Sequence, residues 1–271
     1  MGSRRALCGL MLLVFLFALA FAGPLLSPWS WDETDFAAFR QGPTSQHWCG
    51  TTQSGRDVFA LTLRGTQKSL LIGLCVAIVS TGLAAVVGTV AGFAGGWPDR
   101  ALMWGVDLLL VLPSFLVLAV LAPRLGGSWP VLVPLLAAFL WMVTARVVRA
   151  MTISLREREY VLAARFLGVG APRTIVRHIL PQLASLLVVD ASLNVSVAII
   201  AESGLSYLGF GVRPPDVSLG TVIADGRSTA TTYPWPFGFA AGLLVLIVLA
   251  VNLLGDGLRD VLDPESGRGR W

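Results

Sequence analysis

The chain has 271 residues, of which 55% are hydrophobic and only 13% charged, with a formal net charge of +4. Soluble domains carry about 25% charged residues, so a chain this poor in charge cannot cover a soluble surface and reads as a multi-span membrane protein. Its basic residues lie between apolar runs instead of along one stripe, which argues against a nucleic-acid partner.

Six apolar stretches are long enough for a bilayer, which needs about 20 residues per helix. They cover 6–26, 69–93, 101–122, 131–145, 179–201 and 237–254. The first has two readings. Arg4-Arg5, an apolar core and Ala20-Phe21-Ala22 fit a cleaved signal peptide. The spans that follow favour an uncleaved helix. Either way the second span starts outside, after an extracytoplasmic segment at 27–68. In that segment His47-Trp48-Cys49 pairs two metal-ligand types, but no third ligand stands nearby, so it reads as an ordinary loop. Cys8, Cys49 and Cys75 are too far apart for a disulfide framework or a zinc pattern.

Gly65-Thr66-Gln67-Lys68-Ser69 looks like the end of a phosphate-binding loop. Gln67 stands where that loop needs glycine before Lys68, and only Leu61-Thr62-Leu63-Arg64 precedes it. No nucleotide site, catalytic set or metal site is expected of this chain. Energy for uphill transport must come from a partner or an ion gradient. Within the second span Gly88, Gly92 and Gly96 recur every four residues, a spacing that lets helix backbones approach closely. Asp107, near the inner end of the third span, is expected to pair with Arg146 or Arg149.

With the N-terminus inside, thirteen of the twenty basic residues are cytoplasmic, seven of them between Arg146 and Arg177. This positive-inside bias puts both termini and the 146–181 segment in the cytoplasm. In that segment Tyr160, Ala163, Ala164 and Leu167 share one helical face. Gly168 and Gly170 break the helix, and Pro172 starts a second piece that ends at Pro181. Anchoring to anionic headgroups explains the arginines, but not the alanine pair, glycine break and proline stop in this order. Farther on, Asp190 and Asn194 share a face of the fifth span, either lining a translocation path or making an interhelical hydrogen bond. Glu202, at the outer end of that span, serves either the fold of the following segment or recognition of a substrate amine.

Ala163-Ala164, then Gly168, then Leu180-Pro181 resembles the cytoplasmic EAA loop of ABC importer permeases. Leu162 and His178 stand where that pattern has Glu and Ile. His47-Trp48-Cys49-Gly50-Thr51 with Gly55-Arg56-Asp57-Val58, then 202–211 with Pro214-Pro215, and finally 255–264, resemble the C-type permeases for peptides and nickel. The dipeptide/oligopeptide branch fits best.

The resemblance implies an all-α, type I ABC importer permease in the bacterial inner membrane. It implies a first helix at 1–26, a five-helix permease domain at 69–256, an extracytoplasmic segment at 202–236 and a cytoplasmic tail at 257–271. A coupling helix would carry Tyr160, Ala163, Ala164, Arg165, Leu167 and Gly168, with Leu180 and Pro181 closing the motif. Implied partners are a homologous permease subunit, two ATPases that bind ATP and Mg, an extracytoplasmic binding protein, membrane lipid and a peptide substrate. The alternatives are an importer of nickel or another small solute, and a proton-coupled secondary transporter using Asp190.

Overall fold

A computed structural model of the chain describes residues 2–262, whose regular elements are all helices, with a long irregular segment between Leu25 and Val58. Asp263-Pro264, Arg268 and Arg270, which the sequence placed in the cytoplasmic tail, lie outside the described residues. Five helices are long and apolar enough to cross a membrane, and a sixth crossing is formed if a bent pair counts as one.

Helix α1 (Gly2–Ala22) packs along α10 (Trp235–Leu262), burying Leu16 and Ala20 against Ile247, Ala250 and Val251. Helix α2 (Val58–Ala94) is the central element. It begins eleven residues before the span expected from 69, because Asp57 caps it: the carboxylate accepts the Ala60 N–H at 2.8 Å. At a rise of about 1.5 Å per residue its 37 residues reach about 56 Å, well beyond the ~30 Å hydrocarbon core. The 65–69 stretch is therefore helix, and Lys68 is anchored. It pairs with Asp216 at 3.0 Å and lies 4.8 Å from the Trp129 ring centre.

Helix α2 packs against α5 (Trp129–Arg156) through two of the three spaced glycines. A Cβ on Gly88 would come 2.6 Å from the Ala145 carbonyl oxygen, and one on Gly92 would come 2.7 Å from that of Arg149. Gly96 takes no part. It follows the helix end at Gly95, and nothing lies within 4 Å of its missing side chain.

The third expected span, 101–122, is not one helix. It is α3 (Gly96–Val111) and α4 (Ser114–Arg124), bent by 82°. Pro113 supplies no N–H and forces the residue before it out of helical geometry. Leu112 accordingly has φ −72 and ψ 129. Helix α4 then turns Leu118 and Ala122 into a cluster with Leu132 and Leu136 of α5. The fourth span, expected at 131–145, occupies only the N-terminal half of α5.

Helices α6 (Glu159–Phe166) and α7 (Ala171–Thr174) follow α5. A π-turn, Ile175–Ile179, leads into α8 (Leu180–Tyr207), which packs on α2 and α10. Short α9 (Leu219–Gly226) carries a capping box at Ser218 and Thr221 and leads towards α10.

Candidate functional site

Helix α6 is fastened to its own chain on one side and open on the other. Val161 and Ala164, three apart, are buried. Arg165 lies with its guanidinium carbon 5.6 Å from the Phe93 ring centre, at the C-terminal end of α2. Tyr160 and Ala163 are exposed, and Phe166 and Leu167 are 89% and 84% exposed. The expected face therefore splits. Tyr160, Ala163 and Leu167 face outward. Ala164 does not, because the helix turns it, with Val161, onto its own chain. Phe166, absent from the sequence-derived set, is the most exposed apolar residue of the segment.

The turn after α6 closes with two paired hydrogen bonds. Val169 N–H donates to Ala164 C=O and Gly168 N–H to Arg165 C=O, each at 3.0 Å. This is the Schellman arrangement, and its left-handed residue is Gly168 with φ +78. Nothing lies within 4 Å of a Cβ built there. The left-handed conformation alone accounts for glycine within this chain.

Pro181 does not stop the second piece, as the sequence had led us to expect. The helix runs on from Ala171 to Tyr207. A proline ring clashes with the carbonyl four residues back, and here one widened turn takes up the mismatch. Leu180 N–H reaches Ile175 C=O, five residues back. Leu180 is half-buried and Pro181 exposed, and Pro172, Arg173, Val176, Arg177 and Pro181 line a shallow open groove beside α6.

Within the bundle, Asp190 is shared by three helices. It accepts from Thr144 at 2.7 Å, Asn194 at 2.8 Å and Thr81 at 3.0 Å. Both Asp190 and Asn194 are half-buried. Glu202 is fully enclosed among serines from two helices, α2 and α8. Ser206 donates to it at 2.6 Å, Ser69 at 3.3 Å and Ser203 at 3.4 Å. Ser69 in turn accepts the Leu219 N–H at 3.1 Å, and Ser206 accepts that of Val212. Through these serines Glu202 ties α9 and the loop before it onto α2 and α8. The serine set was not legible in the sequence, because Ser69 lies 133 positions from Glu202.

Asp107 pairs with Arg146, one of its two expected partners. Arg149 pairs instead with Asp99. In the segment before α2, His47 and Cys49 do not act together. His47 is buried, with one ring nitrogen 2.9 Å from Asp57 and the other 3.4 Å from Asp35, and it stacks on Trp29. Burial, and then the nearby Asp57 charge, push the Cys49 thiol up to about 11.

Comparison with known proteins decides the family. The profile described as binding-protein-dependent transport system inner membrane component matches residues 84–267. The chain belongs to this family. A second profile, the N-terminal TM domain of oligopeptide transport permease C, matches residues 2–43. The oligopeptide transport system permease protein OppC of Mycobacterium tuberculosis is 56% identical over 266 residues, covering 97% of this chain and 91% of the relative. OppC of Bacillus subtilis is 34% identical over 264 residues, 97% of this chain and 87% of the relative. As an inner membrane component of such a transport system, the chain is a multi-pass permease of an ABC transporter, and its apolar helices are the membrane-embedded part.

Proposed function

We propose that this permease carries di- and oligopeptides across the cytoplasmic membrane together with a homologous permease subunit. Two ATPases supply the energy, and an extracytoplasmic binding protein delivers the substrate. The peptide reading rests on the relatives, which are oligopeptide transport permeases. The coupling reading rests on one observation. Phe166 and Leu167 project from the protein surface directly before the Gly168 turn, while Val161 and Ala164 hold the same helix to the bundle. A short helix that is fixed on one side and apolar on the other can take a push from a partner and pass it to α2 and α5. ATP and Mg belong to the ATPases, and this chain binds no cofactor of its own. Asp190 is occupied by hydroxyl and amide donors, an arrangement that favours a structural role over a proton carrier.

The test is uptake by the complete complex in proteoliposomes. Labelled tripeptide should accumulate only with ATP and the binding protein. Accumulation driven by a proton gradient without ATP, or uptake of nickel in place of peptide, overturns the proposal.

A further inference from the structure

A cavity of about 1140 Å³ opens on the extracytoplasmic side, between the segment before α2, the end of α8 and α9. Small-ligand pockets commonly measure about 300–1,000 Å³, so a short peptide fits. Trp31, Arg56, Tyr207, Arg213, Asp225 and Arg227 are among its walls. Several other charges there are already engaged, among them Asp32, which accepts from the Ser30 hydroxyl. Asp216 pairs with Lys68, and Arg227 donates to the Tyr207 carbonyl at 3.1 Å while lying over its ring.

Arg56 is different. Its Nε is the one buried side-chain nitrogen or oxygen without a hydrogen-bond partner among the described residues. A buried donor left unpaired is costly, and the rest of this guanidinium, which lines the cavity, can hold a carboxylate by charge-assisted hydrogen bonds. Asp225 lines the same cavity, and the Arg56 charge acts on it. Burial pushes the Asp225 carboxyl above its usual range, and Arg56 opposes that. A neighbouring ammonium would relieve the same penalty. The cavity thus offers a cation for a carboxylate, an anion for an ammonium, and the aromatic side chains of Trp31 and Tyr207.

We propose that this cavity binds short peptides with free termini, the C-terminal carboxylate on Arg56 and the N-terminal ammonium on Asp225, ahead of the membrane path. The choice of a peptide rests on the proposed function; the pairing chemistry rests on Arg56 and Asp225 alone.

The experiment titrates trialanine and trialaninamide calorimetrically into the chain with its partner permease in lipid nanodiscs, without the binding protein. Trialanine should bind, and the amide, which lacks the carboxylate, should bind about tenfold more weakly or worse. Arg56→Gln should weaken trialanine about as much and abolish the difference between the two ligands. Equal affinity of acid and amide for the unaltered protein overturns the proposal, as does no binding, and neither result depends on a variant folding. Loss of binding-protein affinity in Arg56→Gln, with trialanine binding unchanged, would assign the cavity to protein docking and overturn it too. If whole-transporter peptide uptake persists in either case, only the cavity assignment fails. If no peptide is taken up at all, the proposed function fails.

Discussion

Arg149, in the C-terminal half of α5, donates two hydrogen bonds to Asp99 in the first turn of α3, one of 2.6 Å from Nη2. Two parallel charge-assisted bonds fix direction as well as distance. The pair sets where α3 departs after the break at Gly95. The neighbouring Arg146–Asp107 pair is about half exposed on both sides. Arg149→Gln should cost about 1–3 kcal/mol and Arg146→Gln less than about 1 kcal/mol. Thermal unfolding of the purified chain in detergent measures both. Equal losses would show that burial does not separate the two pairs.

Glu202 makes a second ordering testable. Glu202→Ala leaves Ser206 and Ser69 without their buried acceptor and should destabilise by about 1–3 kcal/mol. Glu202→Gln keeps an acceptor oxygen and should cost less. Because these serines also hold Leu219 and Val212, a cysteine placed at Ser218 should become reactive in the alanine variant. If it stays protected there, Glu202 does not hold α9 in place.

The sequence carried much of the fold and less of the site, for physical reasons. Hydropathy shows where helices cross, and five of the six expected stretches fall in helices long enough to span. The break at Pro113 follows a local rule, yet apolar composition on both sides masked it. The cap at Asp57 is also local, but it lies in polar sequence outside the hydropathy signal. Helix phase was harder. Eight residues make barely two turns, so Ala163 and Ala164 could equally face out, and only packing against the bundle turns Ala164 inward. The Glu202 serines come from segments that only tertiary structure joins.

Asp190 separates two modes of energising. Asparagine at this position keeps an acceptor for Thr81 or Thr144 and loses only the charge. In an ATP-driven permease, Asp190→Asn should retain at least about half of peptide uptake, since a neutral replacement leaves much of the hydrogen-bond network intact. Uptake assays in proteoliposomes measure it. A correctly folded Asp190→Asn protein without transport would restore the charge to the mechanism.

Cys49 gives a pH prediction. Its thiol is raised from 9.0 to about 11, and only the thiolate reacts with maleimide. At pH 8 labelling should be about a hundredfold slower than for an unperturbed cysteine, and it should climb as the pH approaches 11. Mass spectrometry of a Cys8→Ser, Cys75→Ser protein reads the rate. Rapid labelling at pH 8 would contradict the burial of that thiol.

Gly168 offers the most direct test of coupling. In this chain a side chain there meets nothing within 4 Å, so Gly168→Asp carries only the left-handed strain, about 1–2 kcal/mol, and the helices should remain inserted. Any larger effect must come from a partner at the turn. The measurement is ATP-driven peptide uptake by the complete complex, comparing Gly168→Asp with a triple variant in which Arg165, Arg173 and Arg177 become Gln. The coupling reading predicts that Gly168→Asp abolishes uptake and substrate-stimulated ATP hydrolysis while the partner permease stays bound. Normal transport by Gly168→Asp, with transport lost in the triple variant, would make the segment a headgroup anchor and contradict it.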